Sequence, residues 1–273
     1  MPKIVALQID PIESLNYKND SSLFIAKEFQ LRGYSLFYYT PSDMVFLFFD
    51  VYAMGSFVEL FDIEPHFRIL KKSKLSLSDA KFVLLRQDPP FDMNYITSTF
   101  LLDRVNKTTK VINNPSAVRN NVEKLMIYDF PEYILPSIIT YELESLMEFF
   151  KVHKRVILKP LYGHGGKGVE LAETSAEFSK LVDYYISNKI PFVVQKFCEA
   201  IKSQGDKRVI MINGKVAGVL SKKAKKGKIA TNIAAGGVAS VSKLSRREAV
   251  ICKEVGAYLK AKDIFLAGID IVD

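Results

Sequence analysis

Arg155 to Leu171 reads RVILKPLYGHGGKGVEL: an apolar run closing on Lys159-Pro160, four glycines within six residues, and a second apolar run. Val156, Ile157 and Leu158 have the β-branched bias of a buried strand, and Val169 to Leu171 begin another. Glycines between two strands let the backbone take positive φ and approach a ligand closely, so that successive N–H groups point at anionic oxygens. Lys159, fixed on the strand before the loop, adds a point charge. Phosphate binding is the reading this favours; a flexible hairpin tip without a ligand is the plainer alternative.

Several motifs overlap here. Gly163, Gly165 and Gly168 satisfy G-x-G-x-x-G, but the dinucleotide fingerprint needs a helix directly after the turn. The residues that follow, GVELAET, read as strand and then helix cap. The P-loop also fails, because Gly166-Lys167 is followed by Gly168 and not by Ser or Thr. A glycine-rich hairpin folded over phosphates, the solution protein kinases use, fits better.

At 273 residues the chain is long for one core, so two or three domains or subdomains are expected. An apolar share of 48% and a charged share of 25% are those of a globular protein in water. No run of 18 apolar residues occurs, and MVFLFFD at Met44 is broken by Asp50, so no membrane span is expected. The start, MPKIVALQID, passes directly into strand pattern, which gives no sign of a secretory signal. Cys198 and Cys252 stand far apart without metal-ligand spacing, as in a reducing cytoplasm. A net charge of +8 suggests acidic partners: nucleotide phosphates, carboxylate substrates or nucleic acid. Lys222, Lys223, Lys225, Lys226 and Lys228 concentrate that charge, as a solvated loop or an anion-facing one. A nucleic-acid binder would rest on this charge alone, since no recognised module accompanies it.

In chain order, residues 3 to 9 predict a strand ending at Asp10-Pro11, Asp20-Ser21-Ser22 a helix start, Arg32-Gly33 its stop, and Tyr34 to Tyr39 a second strand. Asp43 to Leu70, broken by Asp50, Gly55, Asp62 and Pro65, predicts a meander of small strands. Lys81 to Leu85 is a strand that closes on Arg86-Gln87-Asp88-Pro89-Pro90-Phe91-Asp92, a rigid loop with fixed charges, either a binding loop or a stiffened turn with a local Arg/Asp pair. A helix over 94 to 104 and a strand over 110 to 112 complete a first domain at about residue 120. Glu123-Lys124-Leu125 is placed on a further helix, followed by helix 142 to 152, the glycine hairpin, helix 175 to 187 and strand 191 to 197. Strand 205 to 212 turns at Asn213-Gly214 into strand 215 to 220. Asp206 and Arg208 share a face by the two-residue period. A glycine-ended loop over 231 to 237, helix 244 to 259 and strand 264 to 271 with Asp270 follow.

This order resembles the ATP-grasp ligases, and among them the prokaryotic glutathione synthetases. The resemblance is carried by Asp10-Pro11 with Asn16, Lys18, Asp20 and Ser21; by Arg86, Asp88 and Asp92; by Asn114-Pro115 with Arg119; and by Glu123-Lys124-Leu125. Further along it rests on Ile157 to Pro160, Gly163 to Gly166, Gln195 with Ala200 to Lys202, Gly205-Asp206-Lys207-Arg208, Asn232 with Ala234 to Gly237, and Gly268 to Asp270. It implies an α/β chain with a pre-ATP-grasp substrate-binding domain over 1–120, then an ATP-grasp domain over 121–273 whose hairpin covers the nucleotide. It implies an ATP- and magnesium-dependent ligase that phosphorylates the carboxylate of γ-glutamylcysteine and couples it to glycine. Lys124, Lys159, Gly163, Gly165, Gly166, Asp206 and the segment Gln195, Lys196, Phe197, Cys198 would hold ATP. Arg208 would face the reacting acyl group and Asp270 a magnesium ion. Lys18, Arg86, Asp88, Asn232, Gly236 and Gly237 would bind substrate, while Arg119 could equally do no more than pair near a helix end. A cytoplasmic homo-oligomer is also implied.

Two departures stand out. Ala230-Thr231-Asn232 replaces the family's Arg-Gly-Asn, and Lys222 stands at a nearby arginine position, keeping charge without the bidentate fork. The family continues beyond Asp270 with a Glu and an Asn that complete the metal site, so a C-terminally incomplete ATP-grasp domain is expected. On that ground a catalytically silent nucleotide-binding remnant, half of a split ligase, or a ligase for another γ-glutamyl or amino-acid substrate are the alternative readings.

Overall fold

The computed structural model describes residues 3–223 and 238–272, and divides the chain into two compact units, residues 1–120 and 121–273. In the first, β1 (Ile4–Gln8), α1 (Ser21–Leu31) and β2 (Ser35–Tyr39) form the expected β-α-β opening, with β1 and β2 parallel. Asp20 caps α1, its carboxylate accepting from the Ser22 and Leu23 N–H groups.

The predicted meander is corrected. Apart from the short β3 (Met44–Leu47), it consists of two long antiparallel strands, β4 (Asp50–Leu60) and β5 (Phe67–Ser76). Then come β6 (Phe82–Leu85), α2 (Met93–Leu102), β7 (Lys110–Ile112) and α3 (Pro115–Asn120). The sheet order is β3-β4-β2-β1-β6-β7, with β5 on β4 and with β2, β1, β6 and β7 mutually parallel. All five residues of β1 are buried, as expected where helices cover both faces of a parallel sheet. The two-residue period sends Ile4 and Ala6 into one apolar cluster with Leu102 of α2, and Val5 and Leu7 into another with Leu23 and Ala26 of α1.

The second unit contains β8 (Ser137–Ile138), α4 (Leu143–His153), β9 (Val156–Pro160), β10 (Glu170–Ala172), α5 (Ser175–Ser187) and β11 (Phe192–Lys196). These strands make a sheet in the order β10-β9-β11-β8. Leu146 and Phe150 of α4 and Phe178, Val182 and Tyr185 of α5 bury its apolar face. The chain continues with α6 (Ala200–Gln204), β12 (Asp206–Ile212), β13 (Lys215–Lys223), β14 (Val238–Val241), α7 (Arg246–Ala261) and β15 (Leu266–Ile271). Their antiparallel sheet runs β14-β13-β12-β15. A capping box at Ser245 and Glu248 starts α7. Glu123-Lys124-Leu125 lies in a turn before the short 3-10 segment Met126–Asp129 and not on a helix, which corrects that expectation. Among the described residues no helix is long and apolar enough to cross a membrane.

Candidate active site

The glycine stretch is the turn between antiparallel β9 and β10, with Leu158 opposite Glu170. Gly165, Gly166 and Gly168 take φ of +61°, +76° and +68°, a region that penalises any residue with a Cβ. The loop is tied down at both ends. The Lys124 ammonium donates to the Gly163 carbonyl at 2.6 Å, and the Tyr185 hydroxyl donates to the Gly168 carbonyl at 2.6 Å.

Lys159, at the end of β9, donates to Gln195 Oε1 at 2.8 Å, and Gln195 Nε2 donates to Ser137 Oγ at 3.1 Å. Adjacent strands thus fix the ammonium through a relay. Burial, and then the neighbouring Lys124, lower the Lys159 pKa from its ordinary value, against a weaker opposite pull from Cys198 and Glu123. Two cations so placed, one of them desolvated, make a site that favours a polyanion. Beyond Gln195, Lys196 is exposed, Phe197 is buried and Cys198 is half-buried. The Lys196 N–H donates to the Pro136 carbonyl at 2.9 Å and the Phe197 N–H to the Arg155 carbonyl at 3.0 Å.

A second group of charges lies on the other sheet of this unit. Asp206 and Arg208 share a face of β12, as predicted; Asp270 of β15 is directly opposite Arg208 and Lys222 of β13 directly opposite Asp206. Arg208 Nε lies 3.0 Å from Asp270 Oδ1, and the Lys222 ammonium lies 2.9 Å from the same oxygen and 2.7 Å from Asp206 Oδ2. Asp206 Oδ1 is buried without a hydrogen-bond partner among the described residues.

Sequence spacing alone does not place Lys222 in this group. Counting back from the Asn213-Gly214 turn would put Ser221 opposite Asp206, but an irregularity between Ile210 and Met211 shifts the register by one residue. Such a bulge moves every later side chain to the other face. Gly268 is likewise explained by what it leaves free: a Cβ there would stand 2.4 Å from Arg208 Nη1.

In the first unit, Asp10 follows β1 and Arg86 follows β6, both at carboxyl ends of neighbouring parallel strands, where α/β sheets bind ligands. Arg86 donates to the hydroxyls of Ser21 at 2.8 Å and Ser22 at 3.2 Å, and Asp10 Oδ2 accepts from the Asp88 N–H at 2.7 Å. Arg86 therefore serves the start of α1, and Asp10 the backbone of the loop that follows β6. Tyr95, which no sequence motif singles out, has its pKa pushed up to about 12 by burial, with Arg86 opposing and Asp88 and Asp10 adding to the rise. Lys18 and Asp88 are exposed. Arg119 pairs with Asp103 at 2.5 Å and lies over the Phe100 ring, the helix-end pairing that is its simpler reading. Asn232, Gly236 and Gly237, together with Ala230, Thr231 and the lysines at 225, 226 and 228, lie outside the described residues. Among the described residues no three His, Cys, Asp or Glu side chains gather as a metal cluster.

Comparison with known proteins covers both units. Residues 4–119 match the family described as "Prokaryotic glutathione synthetase, N-terminal domain", and residues 123–273 its "ATP-grasp domain". The chain is 37% identical to glutathione synthetase of Rhodopseudomonas palustris over 272 residues, covering 98% of this chain and 87% of that one. It is also 37% identical to glutathione synthetase of Bradyrhizobium diazoefficiens, with 98% and 86% covered. Among solved structures it resembles a D-cycloserine synthetase, with TM-score 0.67, 15% identity and 98% and 86% of the two chains covered. A D-alanyl-alanine synthetase A from Vibrio cholerae gives 0.66, 12%, 98% and 84%. At these identities the structural likeness establishes the ATP-grasp fold.

Proposed function

The chain belongs to the prokaryotic glutathione synthetase family, an enzyme family of ATP-dependent ligases that make glutathione, and from this premise we propose how its own residues divide the work. The observation that carries the reading is the convergence of Lys124 and Lys159 beside the glycine hairpin. The two ammonium groups hold the ATP phosphates, and Gly163, Gly165 and Gly166 let the hairpin backbone close on them. Gln195 keeps Lys159 in place through Ser137, and Lys196, Phe197 and Cys198 run along the adenine.

Arg208 faces the carboxylate of γ-glutamylcysteine that attacks the γ-phosphate. Its guanidinium, already oriented by Asp270, stabilises charge on the acyl phosphate and then on the oxyanion that forms when the glycine amine adds and that collapses as phosphate leaves. We assign Lys18, Arg86 and Asp88 of the first unit to γ-glutamylcysteine; Asn232, Gly236 and Gly237, expected to bind substrate, lie outside the described residues.

The corner at Asp270 suits a magnesium ion that arrives on the nucleotide. Among the described residues Asp270 meets its two cations through Oδ1, and Asp206 Oδ1 has no partner, which leaves two carboxylate oxygens. Magnesium accepts one or two carboxylates and fills its other positions with phosphate and water. When bound it supplies charge neutralisation at the transferring phosphate.

We assign the enzyme to the cytoplasm, in keeping with its two free cysteines, and to a homo-oligomer. The exposed Phe48 and Phe49 at the β3–β4 turn support an oligomer, which light scattering measures directly. The test of function is phosphate release by the purified chain with ATP, magnesium, γ-glutamylcysteine and glycine. Release that stops when any one component is omitted is expected. A folded protein that releases none would overturn the reading.

A further inference from the structure

Lys222 is 3% exposed and Asp206 6%. This lysine lies between two carboxylates on different strands, within 2.9 Å of an oxygen from each. With Arg208 on Asp270, two positive and two negative groups balance on one face of the sheet. Asp206 Oδ1, buried and without a partner among the described residues, offers an oxygen to a further cation, while Lys222 already meets the carboxylate's charge.

We propose that Lys222 is a built-in counter-ion that closes the Asp206–Asp270 corner to free divalent cations, so that metal enters only together with nucleotide. The inference rests on the nucleotide and metal reading above and concerns order of binding. A free magnesium ion gives up its water reluctantly. To bind here alone it would have to displace an ammonium that is already desolvated, hydrogen-bonded to Asp270 and ion-paired with Asp206. Polyphosphate held by Lys124 and Lys159 would bring negative charge to this unit, and Asp270 and Asp206 would then be the residues to hold a metal bound to it. Nucleotide and metal thereby raise each other's affinity, since linkage is reciprocal. A lysine suits this place because its ammonium is a point charge able to reach two carboxylates at once. An arginine fork would engage one of them in a plane.

The test is Mn2+ binding to nucleotide-free protein, followed by paramagnetic resonance of the free ion, for wild type, Lys222→Met and the double variant Lys222→Met with Asp206→Asn. Wild type is expected to bind Mn2+ no more tightly than the order of a millimolar. Lys222→Met is expected to bind at least about tenfold more tightly, and the added Asp206→Asn to abolish the gain. Equal Mn2+ affinity in wild type and Lys222→Met would overturn the proposal. If Lys222→Met does not fold, Lys222→Gln, neutral but able to donate, takes its place in the same comparison. A separate arm measures the melting temperature of wild type with ATP and Mg2+. Absence of any rise there counts against the nucleotide reading, while the Mn2+ arm judges Lys222.

Discussion

Lys159 shows how a binding residue works against the empty fold. Burial and Lys124 hold its folded pKa below the ordinary lysine value. The unfolded chain therefore binds more protons in that alkaline window, and the stability of the ligand-free protein rises as pH climbs through the lowered value. At neutral pH the charged lysine is a burden that bound phosphate removes. Lys159→Met should leave the melting temperature of the empty protein unchanged or higher. Nucleotide affinity should fall at least about tenfold, the loss of one charge-assisted contact. Thermal melts and nucleotide titration on the same samples check both, and a large fall in melting temperature would contradict the account. Gly268 makes the opposite case. Its missing Cβ leaves space for the Arg208 guanidinium, and the obstructing atoms lie toward the far end of a flexible side chain. Gly268→Ala should therefore cost less than about 1.5 kcal/mol in denaturant unfolding yet lower kcat by at least about tenfold, because Arg208 is turned away from Asp270.

For the glycine hairpin, anchoring matters more than glycine content. Gly168 has φ of +68°, and a Cβ there would stand 2.9 Å from the Pro160 ring, so Gly168→Ala should cost about 1–2 kcal/mol. Tyr185→Phe, which removes only the hydroxyl bond to the Gly168 carbonyl, should cost about 1 kcal/mol. Both should raise the KM for ATP more than the KM for glycine; equal effects on the two would deny the hairpin a role at the nucleotide. This element was legible because its strands and glycines are contiguous, and so was α5, whose Thr174 and Glu177 form a visible capping box. The long β4 was not. Gly55 reads as a breaker, yet it sits mid-strand because a Cβ would strike the Tyr38 carbonyl at 2.3 Å where β4 pairs with β2. Glu123-Lys124-Leu125 escaped for a related reason. The turn is held by the tertiary bond from Lys124 to Gly163, which local propensity does not encode. Lys222 needed the bulge at Ile210, and no side chain announces it.

At the scale of the whole chain, each unit buries an apolar core of its own: both faces of the seven-stranded sheet in residues 1–120, and the α4–α5 face of the β8–β11 sheet in residues 121–273. Units with separate cores unfold with separate midpoints when the interactions between them are weaker than those within. The chain contains no tryptophan, so one introduced residue reports on one unit. Phe24 on α1 is 57% exposed and Tyr184 on α5 53%, and both have room for an indole. In thermal melts followed by fluorescence, magnesium with a non-hydrolysable ATP analogue at about a hundred times its Kd should raise the midpoint of Tyr184→Trp by roughly 5 to 10 °C. The midpoint of Phe24→Trp should move less. γ-Glutamylcysteine should raise the midpoint of Phe24→Trp more than the nucleotide does, because Arg86, Asp88 and Lys18 belong to the first unit. If either ligand shifts both probes equally, the two units melt as one cooperative body. Nucleotide phosphates and substrate carboxylates would then act on a single stability, and assigning substrate binding to the first unit would lose its thermodynamic basis.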